Sequence, residues 1–255
     1  MSQKIAVATV FVSAMFMNIM DITIVNVALP TIGRDFHIPP TAVDGVVIAY
    51  LVSLAVFIPA SGWMGDHFGG KRVLLAAIGV FTIGSALCGL AHNETQLVVF
   101  RVLQGAGGGM MAPVGMAMLY RVFPPAERVR AASVITVPTT MAPAIGPVLG
   151  GFLVTAISWR WVFFVNLPIG IAAVVFGALF LERSETHDAG RLDVRGFVLG
   201  GAGLGLLMYG VSEGPLQSWS SPEVVGACLV GAVLLAVFVF AELRTERPMV
   251  DLHLL

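Results

Sequence analysis

Charge is what this sequence has least of: Asp, Glu, Lys and Arg make up 11% of its 255 residues, against about 25% in an average soluble domain. Its apolar share of 57% exceeds the usual value of about 45–50%, which excludes water as the main solvent and points to the bilayer. The net charge of −1 excludes a polybasic nucleic-acid binder. There are only two cysteines, Cys88 and Cys228, both inside apolar runs. A disulfide or a cysteine-bound metal would need partners that are not placed nearby, so both read as buried thiols. No apolar run contains a Ser-His pair, an HExxH motif or an Asp-Asp pair. An enzyme is therefore not expected, and neither is a metal site or a cofactor.

What is present is a series of long apolar runs. A helix needs about 20 mostly apolar residues to cross the hydrocarbon core while satisfying its own backbone. Eight segments qualify: Ile5–Leu29, Ala42–Met64, Val73–Leu90, Thr95–Tyr120, Ala131–Ile157, Trp161–Leu181, Gly196–Val211 and Val224–Leu243. The fold class expected is thus an all-α membrane protein with eight transmembrane helices. The start, with Lys4 before an apolar run, has the outline of a signal peptide. That run continues through Asp21 and Asn26 to Pro30 without a small-residue cleavage site, so it reads as an uncleaved first span.

The basic residues sort by loop. Lys4, Lys71, Arg72, Arg121, Arg128, Arg130, Arg183, Arg191, Arg195, Arg244 and Arg247 fall on one side, and Arg34 and Arg160 on the other. The positive-inside rule then places the N- and C-termini in the cytoplasm of a multi-pass protein of the cell membrane. An error of one helix would scramble this sorting. The longest polar stretch, from Glu182 to Arg195, reads as a solvated linker and gives the domain organisation: a six-helix bundle over 1–182, a linker over 183–195, two further helices over 196–243 and a cytoplasmic tail over 244–255.

Ionisable groups inside a span are expensive, at about 2.5–3.5 kcal/mol or more each at the bilayer centre, and so are functional candidates. Asp21 is one, and at helical spacing it shares a face with Asn18 and Val25. That face is expected to look into a cavity, where a carboxylate whose surroundings change can take up and release a proton. The plain alternative is a carboxylate that pairs with a neighbouring helix. Arg101 is the other. It lies about six residues past Thr95, or about 9 Å at 1.5 Å per residue, deeper than a snorkelling arginine requires, which favours a cavity-lining place. Gly105 and Gly107 to Gly109 follow it. With no preceding strand and no closing Lys-Ser or Lys-Thr, they read as a close-packing surface and not as a phosphate loop. Pro143, Gly146, Pro147, Gly150 and Gly151 are expected to bend the fifth span. The segment Gly62 to Arg72 reads as a tight turn, in which Asp66 would accept from a neighbouring helix N-terminus while Lys71 and Arg72 pair with acids or lipid phosphates. Asn18, Asn26 and Gln104 are the polar candidates for a substrate cavity that is otherwise mostly apolar.

These segments together resemble the major facilitator superfamily, and in it the fourteen-helix drug:proton antiporter branch. Asp21-Ile-Thr-Ile-Val-Asn26-Val-Ala-Leu-Pro30 resembles its first-helix signature, and Gly62 to Arg72 its loop motif, with His67 and Gly70 standing where arginines are common. Arg101 to Gly109 is similar to the fourth-helix arginine motif, Gly146 to Gly151 to the fifth-helix antiporter motif, and Trp159 to Pro168 to the segment that opens helix six. The resemblance implies proton coupling by Asp21 and Arg101, and a cytoplasmic gate at Gly62, Asp66, Gly69, Lys71 and Arg72. It also implies antiport-linked bending at the Gly-Pro cluster and a proton gradient as the driving force in place of any cofactor.

The family pairs two six-helix halves around a midplane cavity. This sequence matches the first half and two linker helices, and so resembles a truncated or split transporter. Its expected partners are the lipid bilayer, protons and a small-molecule substrate, together with a second chain supplying the other half or a second copy. The function expected is proton-coupled efflux of a lipophilic or cationic small molecule such as a drug. A non-transporting membrane remnant is the alternative.

Overall fold

The computed structural model describes residues 2–182, 186 and 193–243. Among them every regular element is helical, as hydrocarbon demands of segments that must satisfy their own backbone polar groups. α1 (Gln3–Phe36) outruns the expected span by passing through Pro30. At 34 residues it is about 51 Å long, well beyond the roughly 30 Å hydrocarbon core. It stops where His37 turns left-handed at φ 55°, and the Ile38 N–H returns to the Gly33 carbonyl at 3.0 Å in the 6→1 closure typical of helix ends.

α2 (Pro40–Phe68) and α3 (Gly70–Gly89) follow with only Gly69 between them. The expected turn is therefore mostly helix, and Gly62 to Phe68 form the last two turns of α2. The reversal falls on one residue at φ 86°, which glycine alone adopts without strain. α4 (Glu94–Val122) starts at Asn93, whose side chain accepts the Gln96 N–H, a standard way to satisfy a first-turn donor. A short 3-10 turn (Pro125–Glu127) leads into α5 (Arg128–Ala156), which runs as a single helix through Pro138, Pro143 and Pro147. The sixth span is made of two pieces, α6 (Trp161–Phe164) and α7 (Asn166–Phe180), joined at Val165. α8 (Val194–Gln217) and α9 (Pro222–Glu242) complete eight segments long and apolar enough to cross a membrane. Most of the expected linker, and the whole of the expected 244–255 tail, lie outside the described residues.

Packing in the first six spans is reciprocal: α4 lies along α2 and α3, while α1 lies along α5 and α7. Small residues set these approaches. A Cβ on Gly105 would stand 2.5 Å from the Tyr50 carbonyl oxygen of α2, and one on Gly107 would stand 2.5 Å from the Phe81 nitrogen of α3. Gly150 of α5 sits against Ile24 of α1, and Gly146 against Thr23. The glycines of the Gly-Pro cluster thus face α1 while Pro143 and Pro147 are exposed. α8 and α9 pair with each other, and α8 rests on α2, where Phe57 and Phe197 meet edge to face at 5.5 Å.

Candidate functional site

The close approach of α2 and α3 to α4 closes the middle of the bundle around polar side chains. Asp21 is 0% exposed and Arg101 1%. Arg101 Nη1 donates to Asp21 Oδ2 at 2.5 Å and to Gln104 Oε1 at 2.7 Å, and its Nε donates to the Val46 carbonyl of α2 at 3.3 Å. The guanidinium also stacks on Tyr50, 4.0 Å from the ring centroid. Asp21 Oδ1 accepts two amides, Gln104 Nε2 at 2.8 Å and Asn166 Nδ2 at 2.9 Å. These three partners of the carboxylate are all donors, which is how a buried anion is made tolerable.

Further bonds tie this centre to each surrounding helix. Tyr50 Oη donates to Asn18 Oδ1 at 2.9 Å, and Asn18 Nδ2 donates to the Gly108 carbonyl at 3.0 Å. Asn166 Nδ2 also reaches Ser85 Oγ at 3.0 Å, and Ser85 Oγ donates to the Phe163 carbonyl at 2.8 Å. Cys88 Sγ lies 3.6 Å from Gln104 Oε1. It is one of the two free, unpaired cysteines.

This geometry brings four of the residues singled out in the sequence into one buried cluster. Asp21 and Arg101 are covered by helices of this chain. Asn18, 5% exposed, and Gln104, 0% exposed, are hydrogen-bonded within the same buried network. The physical reason is the glycine run of α4, which brings its neighbours close enough to shut the polar face. Asn26 is exposed and lies apart, in a groove of about 850 Å³ at the far ends of α1 and α2, with Leu29, Pro30, His37, Val43 and Asp44.

At the bundle end that holds Lys4, Asp66 pairs with Arg121 at the end of α4, 3.2 Å away. This replaces the helix N-terminus expected as its partner. Lys71 donates to the carbonyls of Ala178, at 2.9 Å, and Leu181, where the last turn of α7 leaves acceptors and a partial negative charge. Gly62 and Asp66 border a cleft of about 110 Å³ between α2 and α4, while Arg72 is exposed. At the opposite end, Asp35 accepts from Trp159 Nε1 at 2.9 Å and from Arg160 Nη1 at 3.1 Å, and Arg160 Nη2 reaches the Ala91 carbonyl of the α3–α4 turn at 3.2 Å.

Sequence reasoning did not single out Tyr50, Ser85, Asn166 or Asp35. Asn166 had a usable signal, since it is the one amide in the apolar run from Trp161 to Leu181. Tyr50 and Ser85 had none, because such residues are ordinary in a membrane helix.

The chain matches the family model of the Major Facilitator Superfamily over residues 11–247. It is 38% identical over 249 residues to a multidrug resistance protein B homolog of Mycobacterium tuberculosis (strain H37Rv), covering 97% of this chain and 46% of that protein. To a putative multidrug resistance protein MdtD of Salmonella paratyphi A it is 35% identical over 239 residues, covering 94% of this chain and 51% of that protein. It thus spans about half the length of the curated relatives it matches. The fold is also that of solved transporters at low identity. The POT family transporter PepTSo matches with a TM-score of 0.65 at 16% identity, over 95% of this chain and 54% of that one. The human organic anion transporter MFSD10 matches with a TM-score of 0.62 at 16% identity, over 83% of this chain and 56% of that one. With the family model matched along nearly its whole length and the helix bundle shared with such transporters, this multi-pass membrane protein belongs to the major facilitator superfamily.

Proposed function

We propose that this chain forms the first half of a proton-coupled exporter of lipophilic or cationic small molecules, with its termini in the cytoplasm and the second six-helix half supplied by further chain, a partner or a second copy. The observation that carries the reading is the carboxylate of Asp21, fully buried and held at 2.5 Å by the guanidinium of Arg101. A buried ion pair is costly to assemble and weak evidence for stability, so its retention calls for another reason. Protonating Asp21 removes the negative partner and leaves a buried guanidinium uncompensated. The bundle then gains from any rearrangement that lets solvent or an acid reach Arg101, and proton uptake is thereby linked to helix movement.

Two further observations support the substrate class. The groove beside Asn26 has a volume of about 850 Å³, within the roughly 300–1,000 Å³ of small-molecule sites. Its walls are largely apolar, with Asp44, Arg34 and His37 as the ionisable groups along them, which suits a lipophilic molecule. The relatives' names speak of multidrug resistance.

The test is dye efflux from a drug-sensitive host that expresses this chain alone or with the remaining half of the mycobacterial relative. Efflux that a protonophore stops, and that Asp21→Asn abolishes while membrane insertion is retained, is the expected result. Protonophore-sensitive efflux that persists in Asp21→Asn removes this carboxylate from coupling. No efflux in either arrangement, with insertion confirmed, favours a non-transporting membrane protein.

A further inference from the structure

The buried network is complete for an ionised Asp21 and incomplete for a protonated one. As an anion the carboxylate receives Arg101 Nη1, Gln104 Nε2 and Asn166 Nδ2. Once protonated, its O–H becomes a donor and needs an acceptor of its own. Gln104 Oε1 already receives Arg101 Nη1 at 2.7 Å and stands 3.6 Å from Cys88 Sγ. One acceptor in the cluster is unused: Asn166 Oδ1 is buried without a hydrogen-bond partner, on a residue 0% exposed.

We propose that Asn166 is the positioning residue that follows the protonation state of Asp21, its side-chain amide turning over so that Nδ2 faces the carboxylate and Oδ1 faces the carboxylic acid. This rests on the reading of Asp21 as the proton carrier and names the group that responds to it. The turn exchanges two atoms of nearly equal size, so its two end states fill the same volume. Oδ1 then takes the place of Nδ2, 2.9 Å from Asp21 and 3.0 Å from Ser85 Oγ. The Ser85 hydroxyl swings from the Phe163 carbonyl to Asn166 and lets go of that carbonyl, while the Val165 N–H stays on the Trp161 carbonyl at 3.0 Å. One amide atom lacks a partner in either orientation. The turned state also takes the Ser85 donor from the Phe163 carbonyl, so it is favoured only when a proton on Asp21 needs an acceptor.

The consequence falls on the break in the sixth span. Asn166 opens α7, and Phe163 lies in α6 just before Val165, so the Ser85–Phe163 bond joins α3 to that joint in one protonation state and releases it in the other. The ionisable groups facing Asp21 are Arg101 from α4, Tyr50 from α2 and Cys88 from α3. α6 and α7 contribute none, since the stretch from Trp161 to Phe180 contains no ionisable residue.

Infrared difference spectroscopy of the whole chain in nanodiscs, between alkaline and acidic pH and with side-chain-labelled asparagine, tests this directly. The expected result is a carboxylic acid band of Asp21, absent in Asp21→Asn, accompanied by a shift of the Asn166 carbonyl to lower frequency as it gains a hydrogen bond. In Asn166→Leu the asparagine response is lost and the acid band moves up, as for a weakly bonded O–H. An Asp21 band in the wild type without any Asn166 response overturns the proposal and leaves proton carriage intact. The absence of an Asp21 band at every pH where the helices remain folded overturns both.

Discussion

The Asp21–Arg101 pair at the centre and the Asp35–Arg160 and Asp66–Arg121 pairs at the two ends are built from the same chemistry in different surroundings. The central pair closes to 2.5 Å with 1% or less of either side chain exposed, and the end pairs sit at 3.1 and 3.2 Å with a third to a half of each side chain exposed. In water-facing positions such pairs contribute about 0.2–1 kcal/mol, whereas removing one partner of a buried pair costs about 3–5 kcal/mol because a charge is stranded. The end pairs therefore serve to tie helix ends together. Asp66–Arg121 joins α2 to α4, and Asp35–Arg160 joins α1 to the turn before α6. Exposed to water and salt, they can break and reform at little cost. The central pair cannot be broken cheaply, which is what the proposed coupling of a proton to a change of shape requires.

The largest effect expected is from stranding a central charge. Arg101→Ala or Asp21→Asn should lower unfolding stability by about 3–5 kcal/mol, read by denaturant titration of the purified chain in detergent. Replacing both residues with Leu and Met should recover much of that loss, because no lone charge then remains. A double substitution no better than the singles would show that Gln104, Asn166 and Tyr50 hold the centre without the ion pair. On transport, Arg101→Ala should be far more damaging than Arg160→Ala. Equal losses in the same efflux assay would end the distinction between centre and rim.

The next effect belongs to the glycines that bury the centre. A methyl on Gly105 would meet the Tyr50 carbonyl at 2.5 Å and Ser53 Cβ at 2.9 Å, and backbone cannot rotate aside as a side chain does. Gly105→Ala should cost about 1–3 kcal/mol by overpacking and should prise α2 from α4. A cysteine introduced at position 104 should then become reactive to a water-soluble maleimide in the Gly105→Ala background and stay unreactive without it. Gly62→Ala is the matched control, since nothing stands within 4 Å of its added Cβ. Similar losses at both positions would mean that helix propensity and not contact is being measured.

The sequence made much of this legible, for reasons that particular residues illustrate. Eight apolar runs and the loop basic residues suffice for the number of spans, because hydrocarbon allows few alternatives to helix. Asp21 and Arg101 stood out because charge inside a span has few innocent explanations. Where they point was not legible, since it depends on how closely α2 approaches α4 and α3 approaches α4. That distance is set by glycines whose partners lie roughly 30 to 60 residues away in the chain. The partner of Asp66 was missed for the same reason: Arg121 is distant in sequence, and only the pairing of α2 with α4 brings it near. Helix ends were less legible than helix number, as at Pro30, beyond which α1 continues to Phe36.

The smallest effect expected is at the rim, and salt is the means to separate it from the centre. At 1 M salt the screening length is about 3 Å, so the coupling energy of Asp35 with Arg160, from a double-mutant cycle with Asp35→Asn and Arg160→Gln, should fall from a few tenths of a kcal/mol to near zero. Trp159 Nε1 would still donate to the residue at position 35, because a neutral amide oxygen accepts that bond at 2.9 Å as a carboxylate does. The single Asp35→Asn change should therefore leave the tryptophan fluorescence of the chain almost unaltered while removing the salt dependence. The cycle for Asp21 and Arg101 should keep its value over the same range of salt, because no counterion reaches a pair that the surrounding helices seal. Salt dependence at the centre equal to that at the rim would mean that water enters the bundle, and that the pair is less well sealed than its burial implies.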